Sequence, residues 1–220
     1  MRGSSRLVQV DLVVVIDWLL MCPHCNRQHV EIMPCYNHVC VHCDKHWNLG
    51  SNIIRGSKNG AVLDDVYQYR LWRNVSDRPG RVLWLMLNPG TADASEDDPT
   101  IRRCIGFTKD WGYGCLEVVN LFAYRATNPK ELGVSCDVVG PRNDSYIFSS
   151  SHEADLVVAA WGGTSGLPKA VSDLVSARAK EVRWSLFAGD VELMALAFTP
   201  DGNPRHPLCL KGDLKPEVWA

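Results

Sequence analysis

Cys22, Cys25, Cys40 and Cys43 make two Cys-x2-Cys pairs with fourteen residues between them. Thiolates at that spacing close two tight knuckles, and the β-prone stretch HVEIM between them supplies a hairpin that brings the knuckles onto one tetrahedral ion. The pattern is that of a zinc ribbon holding structural zinc. Cys35 and the histidines His24, His29, His38, His42 and His46 offer substitute or supporting ligands, and an iron–sulfur cluster is the other chemistry that four thiolates serve. Such a ribbon staples a segment too small to build its own core. Contact with DNA would be an addition to that role.

A second constellation has no metal-ligand spacing. Asn88 stands where an apolar run stops at Pro89 and Gly90, Asn120 interrupts the apolar VVNLF, and His206 lies between Arg205 and Pro207 after the last apolar run. The Asn-Pro-Gly segment is either a plain turn or a rigid holder for a water molecule, with Gly90 letting a substrate approach the backbone. Asn120 must find partners or cost about 1–3 kcal/mol, so it is either a satisfied strand residue or the reader of a pyrimidine edge. A loop histidine can stabilise charge developing on a leaving group. The acidic run Asp93, Glu96, Asp97, Asp98 is either a solvated helix start or the source of a carboxylate that assists Asn88 or steadies an oxocarbenium-like sugar. Asp93 is the candidate taken from it.

These residues need elements to hold them. VYQYRLWR over residues 66–73 alternates as a half-buried strand. RVLWLMLNPG (81–90), LEVVNLF (116–122), DLVVAAWG (155–162) and VELMALAF (191–198) read as buried strands, the last closing the sheet. Asp97 or Asp98 caps a helix with Pro99 at its first position, GPRNDSYIFSSSHEA looks helical, and LPKAVSDLVSARAK is amphipathic. Strands alternating with helices predict an α/β domain with a mainly parallel sheet covered on both faces. Its site belongs at the strand C-terminal ends, where Asn88, Asn120, Trp161 and His206 fall. The Gly, Ser and Asn of residues 51–60 read as a linker, dividing an N-terminal segment, 1–60, from a catalytic domain, 61–220.

The bulk properties set limits on partners. The 220 residues are 46% hydrophobic and 22% charged, enough for one buried domain and a small appendage. A net charge of -2 gives no general field for a polyanion, so any nucleic-acid contact must be local. Nine cysteines, five of them within residues 22–43, do not suit a disulfide framework. Residues 7–21 are apolar, yet they carry Asp11 and Asp17, lack a signal cleavage site and are too short to span a bilayer. A buried element of a cytoplasmic protein is expected there. No Walker lysine loop, G-x-G-x-x-G, G-x-S-x-G or H-E-x-x-H occurs, which removes the commonest nucleotide, hydrolase and metalloprotease chemistries.

From about Tyr67 to Leu210 the motifs LNPGTADASEDDPTIRRC, NLFAYRAT, AWGG and DGNPRHPL resemble those of a domain family of bacteria and phages. More distantly, their order is similar to that of the uracil-DNA glycosylase superfamily: an Asn-Pro-Gly first motif, a strand-borne Asn and a late His-Pro motif. The resemblance implies a uracil-DNA glycosylase-like fold in which Asn88 places the attacking water, Asn120 reads a base flipped out of DNA, and His206 stabilises the departing base. Pro89, Gly90 and Trp161 would complete the base pocket, Arg102, Arg103 and Arg205 would meet phosphates, and Leu208 would fill the gap left by the flipped base. The first motif lacks the aspartate of the most active uracil enzymes, and His-Pro-Leu replaces a longer serine-bearing loop, so the resemblance points away from uracil. It is similar instead to an antiphage glycosylase that acts on phage DNA with modified bases such as glucosylated hydroxymethylcytosine. Two other functions fit the same residues: a non-catalytic, zinc-dependent nucleic-acid-binding module, and a hydrolase of free modified nucleosides or nucleotides.

Overall fold

A computed structural model describes residues 59–133 and 137–219 together with the backbone of three short strands before them. The chain divides into two compact units, 1–57 and 58–220. In the first, β1 (Val30–Ile32), β2 (Asn37–Cys40) and β3 (His46–Asn48) form an antiparallel sheet in the order β1-β2-β3. Val30 pairs with Cys40 and Val39 with His46. Cys22, Cys25 and Cys43 lie outside the described residues, as do residues 7–21; of Cys40, only its place at the end of β2 is described.

The second unit is an α/β fold around a seven-stranded sheet. Its strands are β4 (Asn59–Leu63), β5 (Gln68–Asn74), β6 (Arg81–Met86), β7 (Cys115–Asn120), β8 (Leu156–Ala159), β9 (Leu193–Ala195) and β10 (Glu217–Val218), in the order β10-β9-β8-β6-β7-β5-β4. The helices are α1 (Pro99–Asp110), α2 (Asn143–Glu153) and α3 (Lys169–Ala188). The β9-β8-β6-β7 centre is parallel, whereas β7-β5, β5-β4 and β9-β10 pair antiparallel. The sheet is therefore mixed, and the mainly parallel expectation is corrected. The reason is connection length. β4 and β5 are joined by a tight turn in which Asp64 accepts from the backbone N–H groups of Val66 and Tyr67 at 2.9 and 2.7 Å, and a turn that short can only reverse the chain.

The central strands bury side chains on both faces, alternating as a pleated strand must. Val82, Trp84 and Met86 pack with Ile101, Cys104 and Phe107 of α1, while Leu83 and Leu85 pack with Ile147 of α2 and Val175 and Val182 of α3. Asp98 caps α1 by accepting from the Ile101 N–H at 2.8 Å, with Pro99 at the helix start.

Three elements depart from the expectations. β5 is buried along Gln68–Arg73 and not half-buried, because its arginines are paired. Arg70 meets Glu117 at 2.7 Å, and Arg73 holds Asp97 at 2.7 Å together with the carbonyl of Asp93. VELMALAF is not one closing strand. β9 ends at Ala195, the chain folds into a small loop in which Ala197 accepts from the Arg205 N–H and Thr199 bonds Asn203, and β10 forms the outer edge. Gly202, at φ 77°, makes that reversal. β4 begins at Asn59, inside the segment read as a linker. Among the described residues, no helix is long and apolar enough to cross a membrane.

Candidate active site

β7 and β8 flank β6 on opposite sides: the connection from β6 runs through α1 to β7, and the one from β7 returns through α2 across β6 to β8, so the chain changes direction between β6 and β8 and a crevice opens at the strand C-terminal ends. A cavity of about 360 Å³ occupies it, within the ordinary size range of small-molecule sites. Asn88, Pro89, Gly90, Asn120, Trp161 and His206 all line it. A larger groove of about 660 Å³ runs past Trp184, Phe187 and Trp219. It lies at the start of β9, on the sheet edge opposite the converging polar groups.

Each polar group has a determined posture. The Asn88 amide donates to the carbonyls of Ala126 at 2.7 Å and Pro89 at 3.0 Å. Its NH2 group is thereby used up, leaving Oδ1 as an acceptor. Asn120 ends β7, and that strand end is pinned: Asn143 of α2 donates to the carbonyls of Asn120 and Leu121, and Arg178 of α3 donates to Leu121 at 3.0 Å. The Asn120 side chain is only 3% exposed, and its amide bonds no other described residue. A buried amide left in that state costs about 1–3 kcal/mol, which a ligand would repay.

His206 caps a short 3-10 turn, Pro207–Cys209, by accepting at Nδ1 from the Leu208 N–H at 3.4 Å. In that tautomer Nε2 carries the proton. Burial lowers the His206 pKa and the charge of Asp98 raises it, with the net shift downward. The imidazole is thus a neutral N–H donor near pH 7. Its loop is tied to the Gly162-Gly163-Thr164 turn after β8: Pro204 accepts from the Gly162 N–H at 2.9 Å, and Asp201 accepts from Thr164 and Asn203. Gly162 has φ 86°, and a Cβ there would meet His206 Cβ at 3.3 Å. Trp161 forms part of the cavity wall and donates its indole N–H to Asn203 at 3.1 Å.

Asp93 does not line the cavity. Its carboxylate accepts from Ser95 and Glu96 in a local turn, and those bonds hold its pKa low. The carboxylate at the cavity is not Asp93, the candidate taken from the acidic run, but Asp98, a member of the same run and the expected helix cap. Its Oδ1 caps α1, while Oδ2 faces Gly90, where an added Cβ would come within 2.6 Å. The proximity of a cap residue to Asn-Pro-Gly follows from the loop path, which spacing does not reveal. Gln68 of β5 also lines the cavity and was not a candidate.

The four residues assigned to DNA contact lie outside the cavity lining. Arg103 donates to the carbonyls of Pro207 and Leu210 and lies over the Phe107 ring at 4.6 Å, clamping the His206 turn to α1. Arg102 donates to the Asp97 carbonyl. Arg205 and Leu208 are exposed, Leu208 at 45%.

A family described as a protein of unknown function, DUF1643, matches residues 68–208. The chain belongs to that family. No curated protein and no solved structure matches it. The matched span starts at Gln68 and ends at Leu208, so it takes in every residue of the cavity lining named above, and the N-terminal unit lies outside it.

Proposed function

We propose that this DUF1643 domain is a DNA glycosylase that hydrolyses the N-glycosidic bond of a modified pyrimidine flipped out of DNA, leaving an abasic site. The observation that carries the reading is the convergence on one cavity of a fixed Asn88 acceptor, an Asn120 amide with no hydrogen-bond partner among the described residues, and a neutral His206. Asn88 Oδ1 accepts a hydrogen from water and aims its oxygen at the sugar C1′. As the C1′–N bond breaks, the bonding pair passes to the base, His206 Nε2–H stabilises the charge on the departing ring, and Asp98 steadies the cationic sugar; the water oxygen then bonds C1′, and the proton it loses goes through solvent to the departed base anion. The chemistry needs a flipped base and a positioned water. A phage-type hypermodified cytosine is the substrate proposed, and antiphage defence the setting.

The test is abasic-site formation on unmodified DNA, uracil-containing DNA, and phage DNA carrying glucosylated hydroxymethylcytosine. Abasic sites are expected in the modified DNA alone, and their absence from all of these DNAs sinks the reading. One observation favours a second reading, hydrolysis of free modified nucleosides: Arg102 and Arg103 are engaged by the protein's own carbonyls. Competition by duplex DNA separates the two, since a free-nucleoside enzyme is indifferent to it.

A structural zinc on Cys22, Cys25, Cys40 and Cys43 belongs to the same proposal. Four thiols in two Cys-x2-Cys pairs are a donor set that fits zinc, and the antiparallel β1–β2 pairing follows the first pair and ends at Cys40, the first member of the second. The purified chain is expected to carry one zinc, and Cys40→Ser to lose it with the order of the N-terminal unit, since structural zinc supplies about 10–16 kcal/mol in small modules. Metal analysis finding no zinc in the wild type, or full zinc in the variant, overturns the assignment.

A further inference from the structure

Gln68, like Asn120 on the neighbouring strand, is a buried carboxamide that lines the cavity. It is 4% exposed, and its Oε1 is enclosed without a hydrogen-bond partner among the described residues. The backbone brings it there by a bulge. Val62 pairs with Arg70 but Leu63 pairs with Gln68, so Tyr69 is an extra residue in β5. Arg70 and Tyr69 both turn toward the α2 face, Arg70 to Glu117 and Glu153, and Tyr69 to stack on Tyr146 at 5.3 Å. Without the bulge, strict alternation would send Gln68 toward α2 as well. With it, Gln68 is turned to the face that carries Val118 and Asn120. Bulges beside functional sites commonly re-aim one side chain in this way.

We propose that Gln68 and Asn120 form a pair of carboxamides that grips the hydrogen-bonding edge of a pyrimidine, and that Gln68 selects a base bearing an exocyclic amino group. An enclosed acceptor calls for a donor. The amino group of a cytosine-type base supplies one, whereas a uracil-type base puts a carbonyl oxygen at that position. Asn120, offering one donor and one acceptor, meets the adjoining ring edge. The inference rests on the base-handling role proposed for the cavity but not on hydrolysis.

The full chain titrated with cytidine and with uridine, followed by the side-chain amide signals of Gln68 and Asn120 in 1H–15N spectra, tests it. Cytidine is expected to shift both amides and uridine to bind about tenfold more weakly or worse. The apolar variants Gln68→Leu and Gln68→Met are expected to lose cytidine affinity by a similar factor and to melt no lower than the wild type, because they remove an unpartnered buried acceptor. A structural glutamine would instead be missed on melting. Cytidine moving neither amide, uridine binding as well as cytidine, or unchanged affinity in both variants overturns the proposal. If the DNA assay yields no abasic sites while cytidine still shifts both amides, hydrolysis falls and the base-reading pair stands. If abasic sites form as fast in Gln68→Leu as in the wild type, the pair falls and hydrolysis stands.

Discussion

Replacing His206 by Ala is expected to slow abasic-site formation by about 10²–10³, the usual effect of removing one preorganised donor to a developing negative charge, while the domain stays folded. Asn88→Ala is expected to act similarly, through loss of the acceptor whose orientation the Ala126 and Pro89 carbonyls fix. The pH dependence separates the two. His206 is held below its ordinary value of 6.5 chiefly by burial, so the wild-type rate should stay level as pH falls through 6.5 and drop only at a lower pH. There, protonated Nδ1 can no longer accept from the Leu208 N–H. Stability follows the same sign. Below 6.5 the unfolded histidine takes a proton that the folded one does not, so His206's contribution is complete above 6.5 and is lost as pH falls to the folded value. Asn88→Ala should keep this acid limb in its residual rate, and His206→Ala should lack it. Wild-type activity in His206→Ala, measured on the same modified DNA, would remove the histidine from the mechanism.

β6 and β7 are legible in the sequence because both of their faces are buried, so their side chains form near-continuous apolar runs that end where the site begins. The same holds for α1, where Asp98 and Pro99 are local capping signals that the tertiary structure leaves intact. β5 is harder to read. Arg70 and Arg73 have the polarity of a solvent face, and only carboxylates 47 and 24 residues away allow them to be buried. The edge strands and the strap after β9 are likewise decided by pairings that no local pattern announces.

The site divides along the same line. Asn88, Asn120, Trp161 and His206 stand at the ends of elements, so the rule that parallel strands open their site at the C-terminal edge gathers them. Asp93 and Asp98 are five residues apart in one acidic run, and composition does not choose between them. The choice is made by Arg73, whose grip on Asp97 and the Asp93 carbonyl turns the loop so that Asp93 serves its own backbone and Asp98 meets Gly90. Gln68 depends on a one-residue bulge, and a shift of one residue moves a strand's side chains to the other face.

The largest stability effect is expected at Glu117. It is fully buried, paired with Arg70 at 2.7 Å and near Arg81 at 3.4 Å, while Glu153 of α2 reaches Arg81 at 2.9 Å and Arg70 only at 3.9 Å. Glu117→Leu removes the close partner of an arginine that is 2% exposed, and breaking a buried pair from one side costs about 3–5 kcal/mol. For a unit of this size that is a fall in melting temperature of about 10 °C or more. Adding Arg70→Met should recover most of the loss, because much of the cost is the stranded charge rather than the missing attraction. Thermal melts of wild type, the two single variants and the double variant form the cycle, and a double variant no more stable than Glu117→Leu would mean the pair is not the unit. Below its melting temperature, Glu117→Leu should still bind cytidine as the wild type does. Glu117 faces α2 from within β7, whereas Asn120, at the strand end, lines the cavity, with its carbonyl held by Asn143 and that of the next residue, Leu121, by Arg178. The charged cluster thus anchors β5, β6 and β7 from the side away from the cavity, so loosening it should lower stability without changing the amides that line the cavity.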